Sequence, residues 1–125
     1  VGRMKRILIV DDREDNVELL EMTIKRGNFE VLRAGSGETA LEIARIHKPD
    51  LIIMDVIMPG EIDGLEATRI IKNNPETRDC KIIMISGKDH ATDREAGLEA
   101  GAQYYFMKPF SPLELIRRVD ELLRD

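Results

Sequence analysis

Apolar residues fall in five short unbroken runs: Ile7-Leu8-Ile9-Val10, Val31-Leu32, Leu51-Ile52-Ile53-Met54, Ile82-Ile83-Met84-Ile85 and Tyr104-Tyr105-Phe106-Met107. Residues apolar at successive positions fit strands covered on both faces, as in a parallel sheet buried between helical layers. The second run is shorter and has more polar neighbours, as an edge strand does. Between the runs the period changes. Val17, Leu20 and Ile24 stand at i, i+3 and i+7, and Gly27 follows as a stop, which predicts a first helix. Ala40, Leu41, Ile43 and Ala44 form a second stripe between Ser36 and Pro49. A third helix is predicted from about Leu65 through Ile70 and Ile71 to Asn73-Asn74-Pro75, and a weaker fourth from Thr92 to Ala100, before Gly101. Ser111-Pro112-Leu113-Glu114 supplies a capping serine, a proline at the first helical position and a glutamate at the third. Ile116, Val119 and Leu123 then share one face of the fifth helix. Strict alternation of strand and helix implies right-handed βαβ crossovers, hence an α/β fold with a doubly wound sheet.

Composition narrows the function. The 125 residues suit one domain. Val1-Gly2-Arg3 ahead of Met4 reads as a tag remnant, so the domain is expected over residues 4–125. Acids outnumber bases 24 to 19, giving a net charge of −5 and no broad cationic surface for nucleic acid or anionic lipid. Cys80 stands alone, which excludes an internal disulfide and, with only two histidines, a Cys/His zinc site. No apolar run approaches the ~20 residues of a membrane span. A cytoplasmic location is therefore expected.

Candidate chemistry sits where the strands end. Ligands of an open parallel sheet bind beyond the carboxyl ends of the strands, where the winding direction reverses. Asp11 and Asp12 follow the first strand, Asp55 the third, Ser86 closes the fourth and Lys108 follows the fifth. Adjacent carboxylates about 4 Å apart repel by about 4 kcal/mol at an effective dielectric near 20, so the pair calls for a cation or for water. Three convergent carboxylates are a hard-oxygen site, and Mg2+ suits it best because it uses few protein ligands and leaves positions for phosphate oxygens. A carboxylate beside such an ion can act as nucleophile and form an aspartyl phosphate. Asp55, across the crevice from the pair, is the expected acceptor. Lys108 and Ser86 are expected to meet the phosphoryl oxygens.

These residues, as VDD at 10–12, MDVIMP at 54–59, ISG at 85–87 and FMKPF at 106–110, resemble the receiver domain of response regulators in two-component signalling, and the resemblance spans nearly the whole chain. It implies a CheY-like, flavodoxin-like fold with five helices and strand order 2-1-3-4-5. It further implies a phosphorylation switch, not a turnover enzyme, in which Asp55 takes a phosphoryl group from the phosphohistidine of a sensor histidine kinase or phosphotransfer protein. Asp11, Asp12, Asp55 and the backbone carbonyl of Ile57 would hold Mg2+, with Asp11 acting through water. Tyr105 occupies the switch-aromatic position, its ring turning inward as the Ser86 loop moves toward the phosphate, and Lys108-Pro109 is expected to be a cis peptide. Ile57 and Lys88 occupy positions that tune the approach of water, and apolar Ile57 is expected to slow hydrolysis. The output face would be the fourth helix, fifth strand and fifth helix, read by a downstream protein, a missing effector domain or a phosphorylation-dependent homodimer. Gly60-Glu61-Ile62 makes the loop after the third strand one residue longer than the usual spacing, so its shape is expected to differ while the acceptor stays intact.

Three rivals compete. Gly35-Ser36-Gly37-Glu38-Thr39-Ala40 reads G-x-G-x-x-A, close to a dinucleotide-binding fingerprint, although it follows the edge-like strand. A phosphohydrolase with an aspartyl nucleophile would carry a second carboxylate two residues on, where this chain has Ile57. A receiver-like scaffold that is never phosphorylated would be expected to lack an acid or the lysine, and this chain has both. His47, His90 and the methionines are assigned no functional role, the methionines reading as core filler.

Overall fold

The computed structural model describes residues 4–25, 27–87 and 93–124. Five strands, β1 (Lys5–Val10), β2 (Phe29–Ala34), β3 (Leu51–Asp55), β4 (Lys81–Ser86) and β5 (Tyr104–Met107), alternate with five helices, α1 (Glu14–Ile24), α2 (Gly37–His47), α3 (Gly64–Asn73), α4 (Asp93–Ala100) and α5 (Pro112–Leu123). All pairings are parallel, in the order β2-β1-β3-β4-β5. Each apolar run lies on a strand and each helical stripe on a helix, as expected. Thr92, where the fourth helix was expected to begin, His90 and the residues of the expected tag remnant lie outside the described residues.

The unbroken apolar runs divide by parity, because side chains alternate across a strand. Leu8, Val10, Ile52, Met54, Ile82 and Met84 point to one face and pack with Ala40 and Ala44 of α2 and Ala67 and Ile71 of α3. Ile7, Ile9, Leu51, Ile53, Ile83 and Ile85 point to the other and pack with Val17, Leu20 and Ile24 of α1 and with Leu115 and Val119 of α5. Fully burying such a side chain contributes about 1.5–3 kcal/mol, so the sheet interior carries the stability and frees its polar rim for chemistry.

Two details differ from the sequence reading. The buried anchor of α5 is Leu115, with no exposed surface, while Ile116 is only partly buried. A stripe read from i, i+3, i+7 can slip by one residue when two apolar residues are adjacent. Met54, Met58 and Met84 fill the core, but Met4, Met22 and Met107 are exposed.

The helix ends follow local chemistry. Ser36, Asp63 and Ser111 accept backbone N–H bonds from Thr39, Glu66 and Glu114 and so cap α2, α3 and α5. Thr68 of α3 is the exception to good polar pairing. Its Oγ1 is fully buried without a hydrogen-bond partner among the described residues. Thr68→Val keeps the shape and removes the orphaned hydroxyl, so urea denaturation should show about 1 kcal/mol of added stability.

Candidate functional site

The reversal of winding falls between β1 and β3, since β2 lies to one side of β1 and β3, β4 and β5 to the other. At that point the ladder delivers its polar ends to one rim. Asp11 extends β1 by one residue, its N–H donating to the Ala34 carbonyl at 3.1 Å. One oxygen of its buried carboxylate accepts the N–H of Arg13 at 2.9 Å, ahead of α1. Asp12 is exposed beside it. Asp55 ends β3, half-buried, and single carboxylate oxygens of Asp11, Asp12 and Asp55 all lie within 4.8 Å of one another.

The chain closes tightly behind Asp55. The N–H of Val56 donates to Ile85 at 3.1 Å, and the N–H of Gly64 returns to the Val56 carbonyl at 2.8 Å. Gly64 has no side chain where one would collide with the carbonyl of Asp55, so the start of α3 rests directly on the end of β3. From the sequence alone Gly64 has no role beside Asp55. Its signal was a glycine immediately after the capping Asp63, a position at which a close backbone approach is one of few reasons to omit a side chain.

Lys108 and Ser86 complete the rim. The Lys108 Nζ lies 3.8 Å from the second oxygen of Asp11, and its backbone N–H donates to the Ser86 carbonyl at 2.7 Å. Lys108-Pro109 is cis, as expected. Ser86 is buried at the end of β4, and its Oγ accepts the hydroxyl of Tyr105 at 2.7 Å. The two adjacent tyrosines face opposite sides of the sheet: Tyr105 packs with the α2 and α3 core, and Tyr104 with the α1 and α5 core. Ile57 is 47% exposed. Lys88 lies outside the described residues.

Charge crowding is visible in the acid strength of the acceptor candidate. Burial first, then the neighbouring Asp11 and Asp12 carboxylates, push the Asp55 carboxyl up to about 6. The Lys108 ammonium and an N–H of Ile57 pull the other way and do not cancel the rise. An all-oxygen donor set with excess negative charge and one flanking cation fits a hard dication, which would relieve that cost. Beside the carboxylates a cleft of about 250 Å³ is lined by Asp55 and Lys108 together with Leu19 and Thr23 of α1 and Phe110 after β5.

The glycine motif at residues 35–40 has no place for a dinucleotide. The bare Cα of Gly37, the position that would admit a pyrophosphate, is covered by the carbonyl and side chain of Ile62. That contact comes from the loop after β3, where Gly60 takes φ +102° beside the Glu38 carboxylate. The loop after β3 therefore rests on the start of α2.

Comparison with known proteins agrees with this geometry. Residues 7–120 match the model of the response regulator receiver domain. The chain is a response regulator receiver domain. It is 42% identical over 120 residues to the alkaline phosphatase synthesis transcriptional regulatory protein PhoP of Bacillus subtilis, covering 96% of this chain and 49% of that protein. It is 43% identical over 119 residues to the response regulator PleD of Caulobacter vibrioides, covering 95% of this chain and 26% of that one. The receiver domain thus spans half or less of the length of these relatives. A crystal structure of a candidate response regulator from Chloroflexus aurantiacus J-10-fl superposes with a TM-score of 0.91 at 38% identity, covering 98% of this chain and all of that one. Receiver domains are signalling switches that bind Mg2+ at an acidic pocket and interact with histidine kinases or phosphotransfer proteins and with effector domains. Among the described residues, no helix is long and apolar enough to cross a membrane.

Proposed function

We propose that Asp55 is the phosphoacceptor of this receiver domain. The observation that carries the reading is the convergence of Asp11, Asp12 and Asp55 within 4.8 Å beside the Lys108 ammonium. Asp11, Asp12, Asp55 and the Ile57 carbonyl would hold Mg2+, Asp11 through water. The ion, when bound, neutralises charge on the transferring phosphoryl group.

The chain's own residues do the rest. An Asp55 carboxylate oxygen forms a bond to phosphorus as the phosphorus–nitrogen bond of a phosphohistidine breaks, and the electron pair returns to the imidazole nitrogen. Lys108 leaves Asp11 for one phosphoryl oxygen, and the Ser86 hydroxyl donates to another. The cleft that Asp55 lines together with Leu19 and Phe110 would receive the donor protein. As Ser86 is drawn toward the phosphoryl group, Tyr105 follows it, and the surface of α4, β5 and α5 changes for a downstream protein or effector domain. The site works in the cytoplasm, and the aspartyl phosphate is a signal and not a turnover intermediate.

The test is incubation with acetyl phosphate and Mg2+, read by intact mass. One phosphoryl adduct is expected, and chelation with EDTA should prevent it; labelling that is indifferent to EDTA contradicts the metal role. Ile57 controls the lifetime of that adduct. Its apolar side chain stands half-exposed beside the acceptor and limits water there. Ile57→Asn should speed decay of the adduct by roughly tenfold, equivalent to about 1.4 kcal/mol of barrier. An unchanged lifetime rejects that role.

A further inference from the structure

Among the described residues helix α4 runs over Asp93–Ala100 and carries a glycine, Gly97, in its interior. Glycine weakens a helix relative to alanine, so its presence asks for a reason. Gly97 is buried. A methyl group at its Cα would stand 2.9 Å from the Met84 sulfur and 3.0 and 3.2 Å from Cδ2 and Cε2 of the Tyr105 ring. Those separations are shorter than the ~3.5–4.0 Å of favourable non-bonded contact, so something would have to move.

Which group moves follows from the packing. Met84 and Tyr105 are register partners on β4 and β5, so both present their side chains to α4 from the same face of the sheet. Met84 has no exposed surface and is held in the core, whereas Tyr105 is only partly buried at the sheet edge. The Met84 sulfur is the nearer atom, but close packing surrounds it on all sides, so the ring at the sheet edge is the group with more room to turn. In its present position it lies against Gly97 and its hydroxyl reaches the Oγ of Ser86 at 2.7 Å. One aromatic side chain therefore bridges the backbone of α4 and the hydroxyl at the end of β4.

We propose that Gly97 is a positioning residue: its bare Cα is the seat that lets the Tyr105 ring lie inward and reach Ser86, which couples α4 to the occupancy of Asp55. The inference rests on Tyr105 as the moving element of the switch. A side chain at position 97 closes the seat and turns the ring out. Ligands that bind with the ring inward must then open the seat again and bind more weakly.

The experiment labels the whole chain with 3-fluorotyrosine, which reports on two tyrosines, and assigns the Tyr105 resonance with Tyr105→Phe. The parent and Gly97→Ala are compared without and with Mg2+ and beryllofluoride, a tetrahedral mimic of a phosphoryl group on a carboxylate. In Gly97→Ala the Tyr105 resonance should already sit at an exposed-ring position without the mimic, the Tyr104 resonance should stay in place, and half-saturation by beryllofluoride should need about five- to tenfold more. In a Tyr105→Ala background the same substitution should change that affinity less than about twofold, because no ring is left to seat. A purely structural role would weaken binding in both backgrounds, and a Tyr105 resonance identical in parent and variant overturns the seat. A parent resonance that ignores beryllofluoride while Gly97→Ala still displaces it would remove the switch reading and leave the seat standing. If Gly97→Ala does not fold, recovery of folding in Gly97→Ala with Tyr105→Ala supports the seat, and failure of both overturns it.

Discussion

Asp55→Asn should abolish the phosphoryl adduct and, in EDTA at neutral pH, give a more stable protein than the parent. The first half follows from nucleophilicity, since an amide oxygen does not attack phosphorus as a carboxylate does. The second follows from the crowding of the site. Bringing the Asp55 carboxyl from its ordinary 3.8 to about 6 means that ionised Asp55 is held at a cost in the folded chain. Two pKa units are worth at most about 3 kcal/mol, and partial exposure of the group with solvent screening reduces this to about 1–2 kcal/mol. Urea denaturation of both proteins in EDTA measures the gain. Mg2+ should then reverse the ranking, because a ligand of the native state stabilises only the protein that binds it well. An adduct of equal yield on Asp55→Asn would place the acceptor elsewhere. Equal stability in EDTA would mean that the carboxylates are not crowded enough to cost anything.

The parts of this molecule that were legible in its sequence are those fixed by period and by position at a strand end. Ile7–Val10 and Leu51–Met54 could be read as doubly covered strands because both parities are apolar, and each face found its own helices. Once the strands were placed, Asp11, Asp12, Asp55, Ser86 and Lys108 had to share a rim, because a parallel sheet puts all its carboxyl ends on one side. What could not be read were close approaches between elements far apart in sequence. Gly64 against the Asp55 carbonyl, Ile62 over Gly37 and Gly97 against Tyr105 are each the absence of a side chain facing another element. An isolated glycine says that something comes near and not what comes near. The anchor of α5 slipped from Ile116 to Leu115 for a different reason: two neighbouring apolar residues satisfy the helical period almost equally, and the angle at which the helix meets the sheet decides between them.

Acid should weaken Mg2+ binding over the window in which Asp55 titrates. Its folded-state pKa is raised, so between about 4 and 6 the native chain binds more protons than the unfolded one. The folded chain therefore bears no cost from this group below about pH 4, where it is neutral in both states, loses stability as the pH rises, and bears the full cost of the ionised carboxylate above about 6. In the proposed site the dication would use the carboxylate that the proton occupies, so the two would compete for Asp55. Calorimetric titration with Mg2+ should give an affinity that is flat above about pH 7 and falls by roughly tenfold per pH unit below about 6, with a proton released on binding there. Labelling by acetyl phosphate at subsaturating Mg2+ should lose half its rate near pH 6, and raising the Mg2+ concentration should move that midpoint to lower pH, since metal and proton are linked through one carboxylate. A magnesium affinity constant from about pH 5 to 7 would mean that Asp55 is ionised throughout. The neighbouring acids and burial would then not raise its pKa, and relief of their repulsion would no longer be the reason a dication belongs at this rim.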